Sequence, residues 1–222
     1  MRLTGDGALV LCHDPRLDRT TNGSGLVSVK SLAAIRECDA GSWFDPSFAG
    51  ERVPTLDEVL LLAAELDLGA NIEIKSDRGR EYATAAAVAA CVQRPRGRPP
   101  AVLVSSFLPP ALAALRELAP EIPRGVLFCF IPRGWAQTAL RLGCAMIGAD
   151  HRHLRPPRVA LIRAAGYKLA AYTVNDPARA RLLFDWGVTS VFSDAPDIIR
   201  PGIIRHVSAG RSPALARQGA MR

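Results

Sequence analysis

Ala70-Asn71-Ile72-Glu73-Ile74-Lys75 is the stretch on which the fold turns. Its isoleucines alternate with Asn71, Glu73 and Lys75, the period-two pattern of a β-strand. In a closed barrel alternate residues face the interior, so Glu73 and Lys75 would point the same way, two residues apart. A carboxylate and an ammonium on an inner face are costly unless paired, metal-bound or hydrated. The pair is therefore either an internal salt bridge or part of a functional site.

Downstream, the same kind of segment recurs. Strands are expected over 71–75, 101–106, 125–130, 145–150, 168–174 and 188–194. Helical patterns lie between them: an alanine-rich one from Glu81 to Val92, then segments ending at Leu118, Leu142, Ala165 and Trp186. Loops are short, apart from a Pro/Arg/Gly linker over 94–100, and polar residues gather at strand C-termini. This is the βα signature of a parallel sheet. Six strands suit either part of a TIM (β/α)8 barrel, whose site lies at the strand C-termini, or an open six-stranded α/β sheet. No glycine-rich dinucleotide fingerprint is present. The barrel reading places its two remaining strands before residue 1.

Upstream, Ala8 to Cys12 is a short apolar run ended by Pro15, which lacks a backbone donor and holds the preceding residue extended. Gly5-Asp6-Gly7 is a tight turn leading into it. His13 thus stands at a strand end, ahead of a polar loop carrying Arg16, Arg19 and the turn dipeptides Asn22-Gly23 and Ser24-Gly25. It either caps the strand or does chemistry from a loop held by a rigid scaffold. Ser31 caps a short helix to Cys38, an aromatic loop follows over 41–48, and Thr55 caps a helix to about Leu66. Asp57 and Glu58 sit in its first turn, where the helix dipole favours them.

The 222 residues, 49% apolar, suit a globular α/β protein. Apolar runs are too short and too interrupted by charge to span a bilayer, and no basic-then-apolar leader opens the sequence. The five cysteines are scattered and odd in number, which reads as buried free thiols in a reducing, cytoplasmic setting. The net charge of +7 favours acidic partners, phosphate-bearing small molecules among them. Few aromatics and no recognised motif argue against nucleic acid. Residues 1–200 read as one barrel domain and 201–222 as a basic tail without order.

Several segments together resemble the glycerophosphodiester phosphodiesterases. They are Leu3-Thr-Gly-Asp-Gly7, His13-Asp-Pro-Arg-Leu-Asp-Arg-Thr-Thr-Asn-Gly23, Asp39-Ala-Gly-Ser-Trp-Phe44, Arg52-Val-Pro-Thr-Leu-Asp-Glu-Val59, Asn71-Ile-Glu-Ile-Lys75, Ser105-Ser-Phe107, Tyr172-Thr-Val-Asn175 and Ser193-Asp-Ala-Pro196. They keep the family's order. The resemblance implies a TIM barrel that hydrolyses glycerophosphodiesters to an alcohol and glycerol 3-phosphate with a divalent cation, Mg²⁺ or Ca²⁺. It implies His13 as a catalytic histidine, Glu73 as a metal-ligating carboxylate, Lys75 beside the substrate phosphate and Tyr172 lining the site. The residue types suit the chemistry: a cation and a lysine offset phosphate charge, and an imidazole protonates a leaving alkoxide near neutral pH.

The family's opening His-Arg-Gly and Glu-x-Asp segments, which supply a partner histidine and two further metal ligands, are not in this sequence. Met1 falls where the family has the valine after that aspartate, and the expectation is a start site placed too far downstream, with a real truncation as the alternative. The 222-residue chain is accordingly expected to be poorly stable and inactive or nearly so. The competing readings are a non-catalytic remnant or phosphodiester-binding module and a phosphoinositide-cleaving phospholipase on a related barrel. His151 and His153, just past a strand end, are read as loop residues more readily than as replacements for the absent histidine.

Overall fold

The computed structural model describes residues 1–95, 97 and 99–199. They fall into two compact units, one of Met1–Leu127 with Arg133–Ala145 and one of Phe128–Pro132 with the residues from Met146 onward.

The first unit opens with a hairpin. Strand β1 (Arg2–Leu3) runs antiparallel to β2 (Leu9–Val10), with Arg2 opposite Val10 and Leu3 opposite Leu9. The turn between them is the expected one, with Gly7 at a positive φ of 86°. The second strand is shorter than the apolar run because Leu11 turns its N–H to the Pro54 carbonyl at 2.9 Å. The Thr4-Gly-Asp6 motif has a structural role: the Asp6 carboxylate accepts from the Thr4 hydroxyl and from the Leu32 N–H. Helix α1 (Leu32–Arg36) begins there, capped by Ser31, whose Oγ accepts from the Ala34 N–H.

Helix α2 (Leu56–Glu65) carries the capping box that Thr55 and Glu58 foretell, each side chain satisfying the other's backbone N–H. The aromatic loop before it is tied by Asp39, which accepts from the N–H groups of Gly41, Ser42 and Gly50. Its close approach requires glycine at 41, where a Cβ would lie 1.9 Å from the Phe48 carbonyl oxygen.

The βα repeat then runs β3 (Ala70–Glu73), α3 (Glu81–Gln93), β4 (Val102–Ser106), α4 (Pro109–Leu118), β5 (Arg124–Phe128) and α5 (Trp135–Leu142). β3, β4 and β5 are parallel neighbours, with Glu73 beside Ser105 and Val104 beside Arg124. Ile72 and Ile74 enter the core with Leu56, Leu60, Val88 and Leu115. Glu73 and Lys75 therefore take the opposite face, as the alternation requires. Gly143, left-handed at φ 61°, closes α5. The Arg124 guanidinium, buried, gathers the carbonyls of Ile122 (2.8 Å), Leu142 (3.1 Å) and Gly143 (3.3 Å).

The second unit continues with β6 (Cys144–Asp150), α6 (Pro156–Ala164), β7 (Lys168–Tyr172), α7 (Pro177–Asp185) and β8 (Ser190–Val191). Its strands are also parallel; Asp150 lies beside Tyr172 and Ala171 beside Val191. β8 is much shorter than 188–194, although Thr189 and Phe192 still donate to the Leu169 and Ala171 carbonyls.

All six expected strands are present; β3, β5, β7 and β8 end earlier than expected, and β6 starts one residue sooner. The trimming of β5 at Phe128 corrects one expectation: Cys129 is exposed, because it lies past the strand, whereas Cys12, Cys91 and Cys144 are buried. The five thiols are free. The tail over 201–222 lies outside the described residues. Among the described residues no helix is long and apolar enough to cross a membrane.

Candidate active site

A cleft of ≈310 Å³ in the first unit lies beside β3 and is lined by His13, Asn71, Glu73 and Lys75 together with apolar side chains including Leu11, Leu56 and Ile72. Three of the four residues singled out from the sequence thus share one cleft. The β3 alternation supplies Glu73 and Lys75, and the loop leaving β2 supplies His13.

The Lys75 ammonium donates to Glu73 Oε1 at 2.6 Å. Their side chains are 18% and 26% exposed, so the pair is largely shielded from solvent. Lys75 Nζ also lies 5.8 Å from the centroid of the Phe107 ring. Neighbouring Ser105, on β4 beside Glu73, is fully buried, and its Oγ has no hydrogen-bond partner among the described residues.

His13 is 68% exposed and its Nδ1 lies 2.7 Å from Asp14 Oδ1. Arg19 Nε donates to Asp14 Oδ2 at 2.5 Å. The bond from Arg19, and then that from His13, hold the Asp14 carboxyl well below the usual carboxylate range. An ionised carboxylate only accepts, so Nδ1 carries the hydrogen of this bond. Asp14 was not singled out from the sequence as a site residue, although its place beside His13 and five residues before Arg19 was a usable signal. Ser105 gave no signal beyond its position near a strand end.

Tyr172, the fourth expected residue, belongs to the second unit, at the end of β7; its hydroxyl donates to the Phe128 carbonyl at 2.8 Å. His151 and His153 lie in the turn His151–His153 that follows β6. His151 Nδ1 accepts from Arg179 Nε at 3.2 Å, and the His153 ring lies 3.9 Å from that of Phe130. Burial, then the Arg179 charge, push the His151 pKa down. Both histidines thus have local structural partners, in keeping with the loop reading.

A hard divalent cation asks for six or more oxygen ligands. Among the described residues no group of three or more His, Cys, Asp or Glu side chains converges to hold one. Glu73, the carboxylate that the resemblance assigns to a metal, is turned to Lys75 instead. These residues do not by themselves fit a cation site.

Residues 1–198 match the model of the glycerophosphoryl diester phosphodiesterase family. The sequence is 33% identical over 216 residues to a glycerophosphodiester phosphodiesterase of Bacillus subtilis (strain 168), covering 89% of this chain and 73% of that one. It is 34% identical to that of Caldanaerobacter subterraneus subsp. tengcongensis, covering 90% and 82%. Among solved structures, an Oleispira antarctica phosphodiesterase in complex with the product sn-glycerol-3-phosphate superposes with a TM-score of 0.88 at 36% identity, over 91% of this chain and 82% of that one. Six parallel strands alternating with helices, in that likeness, are those of a TIM-type α/β barrel.

Proposed function

The chain belongs to the glycerophosphoryl diester phosphodiesterase family, a family of phosphoric diester hydrolases, and on that premise we propose that it acts on glycerophosphodiesters, releasing an alcohol and sn-glycerol 3-phosphate. The observation that carries the reading is the cleft shared by His13, Glu73 and Lys75, in a chain so similar to a phosphodiesterase bound to sn-glycerol-3-phosphate.

In this reading Lys75 sets its charge against a phosphate oxygen. Water attacks phosphorus and releases its proton to solvent, the bond from phosphorus to the alcohol oxygen breaks, and His13, entering the step with a hydrogen on both ring nitrogens, passes the one on Nε2 to the departing alkoxide. Asp14 accepts from Nδ1, which fixes the ring orientation and leaves the Nε2 edge for the departing group. Tyr172 is proposed to line the substrate. A bound Mg²⁺ or Ca²⁺ would neutralise phosphate charge, with Glu73 its matched ligand; the residues described do not form that site, and no step here runs through it. The cytoplasmic setting inferred from the cysteines belongs to the same proposal.

One carboxylate already held by a lysine, and one histidine in the cleft, support a second part of the reading: the 222-residue polypeptide by itself turns over slowly. Release of sn-glycerol 3-phosphate from glycerophosphocholine or glycerophosphoethanolamine, with and without Mg²⁺ or Ca²⁺, tests both parts. Slow release that His13→Ala abolishes supports them. Fast turnover refutes the second part alone. Failure both to hydrolyse the diesters and to bind sn-glycerol 3-phosphate refutes the first, while binding without hydrolysis favours a phosphodiester-binding module.

A further inference from the structure

Arg2 stands at the start of the hairpin, where neither spacing nor composition marks it. Its side chain is only 12% exposed. The guanidinium donates through Nε and Nη2 to the His13 carbonyl, at 3.2 and 3.1 Å. Its Nη1 donates to the Lys75 carbonyl at 2.9 Å and to Asp77 Oδ1 at 3.0 Å. One planar group thus bonds the backbones of two residues 62 positions apart in sequence, as 75 − 13.

A guanidinium is a rigid fork, so the two carbonyls it holds are fixed relative to one another. They belong to the residues that supply the imidazole and the ammonium of the cleft. Arg2 grips these residues by their main chain and leaves both side chains to face a ligand. Asp77 offsets the charge of a guanidinium largely removed from water. The nearby Arg80 acts differently, bonding the carbonyls of Thr4 and Ser28 and so tying down the hairpin itself.

We propose that Arg2 is a positioning residue: its guanidinium sets the distance and orientation of His13 relative to Lys75, with Asp77 as its counter-charge. The proposal rests on the reading of the His13, Glu73 and Lys75 cleft given above. It assigns to Arg2 no contact with substrate, and it requires the forked geometry of arginine rather than its charge.

The test uses the 222-residue chain with sn-glycerol 3-phosphate as the probe, its affinity measured by calorimetry, and the His13 ring followed by NMR through a pH titration. Thermal melting verifies that each variant folds. Arg2→Met and Arg2→Lys are both expected to weaken binding about tenfold and to move the His13 ring signals, because a lysine restores the charge but not the fork. Ethylguanidinium is expected to recover binding in Arg2→Ala. Asp77→Asn, which spares the bonds to both carbonyls, is the milder variant should the Arg2 variants not fold; a smaller change of the same kind, two- to threefold, is expected. Full affinity and unmoved His13 signals in a folded Arg2→Met chain, or in Asp77→Asn should no Arg2 variant fold, overturn the proposal, as does an Arg2→Lys chain indistinguishable from the parent. Lys75→Met separates the two levels of inference: if it leaves probe binding unchanged, or if the parent chain binds no probe, the cleft reading fails and this proposal fails with it.

Discussion

Lys75 and Glu73, two residues apart on one face of β3, are joined at 2.6 Å. The sequence alternation puts them on that face, and each satisfies the charge of the other where little water reaches. A ligand carrying a phosphate would compete with Glu73 for the ammonium, so recognition and internal pairing are set against one another in this cleft.

Removing the ammonium leaves a partly buried carboxylate alone. Lys75→Met is expected to cost about 1–3 kcal/mol of stability, at the lower range for such pairs because neither side chain is fully buried. It is also expected to weaken sn-glycerol 3-phosphate binding at least tenfold. Thermal melts and calorimetry on the same sample measure both; a Lys75→Met chain as stable as its parent would show that the pair contributes nothing to folding.

His13 offers the opposite balance. Its side chain is exposed and bonded to Asp14, itself a surface-loop neighbour, so His13→Ala is expected to leave the melting temperature nearly unchanged. Whatever hydrolysis the chain performs is expected to fall by about 10²–10⁴-fold, the usual contribution of a positioned acid or base. Equal rates in parent and variant would remove His13 from the chemistry.

Glu58 gives the chain a pH dependence whose sign is fixed. Its bonds from Arg36, then from the Thr55 N–H and hydroxyl, bring its pKa down to about 2. A carboxyl depressed in the folded state contributes stability that is fully present above its unfolded pKa, about 4.5, and is lost as pH falls through the folded value. Melting temperatures are therefore expected to decline between roughly pH 5 and pH 2. Because Glu58 is surface-exposed the effect is modest, and Glu58→Gln is expected to flatten that part of the profile. An unaltered profile in the variant would assign the decline to other carboxylates.

Arg124 is a structural cation. Its buried guanidinium caps carbonyls that follow α4 and end α5. Arg124→Met is expected to destabilise the chain by about 2–4 kcal/mol, since buried carbonyls lose charge-assisted donors. Probe binding at the cleft in the folded fraction is expected to stay as it was. Denaturant unfolding, with binding measured well below the transition, distinguishes the two effects.

Much of the architecture was legible because it depends on local periodicity. Alternation in 70–75 and helix caps at Ser31 and Thr55 each act within a few residues, and each appears in the structure where the pattern puts it. Strand ends were less legible. The end of β2, for one, depends on Pro54, which lies far away in sequence.

The site divides in the same way. The sequence by itself determined that Glu73 and Lys75 share a face and that His13 follows a strand, because a period of two and a following proline need nothing beyond the segment. It left open whether Glu73 meets a metal or a lysine. Only the tertiary structure decided that the carboxylate closes on Lys75 and that Arg2 fastens the backbones of His13 and Lys75 together. Those are choices among partners brought close by packing. Side-chain charge meets its lowest free energy with whichever group the fold leaves within about 3 Å, and no local pattern encodes that distance.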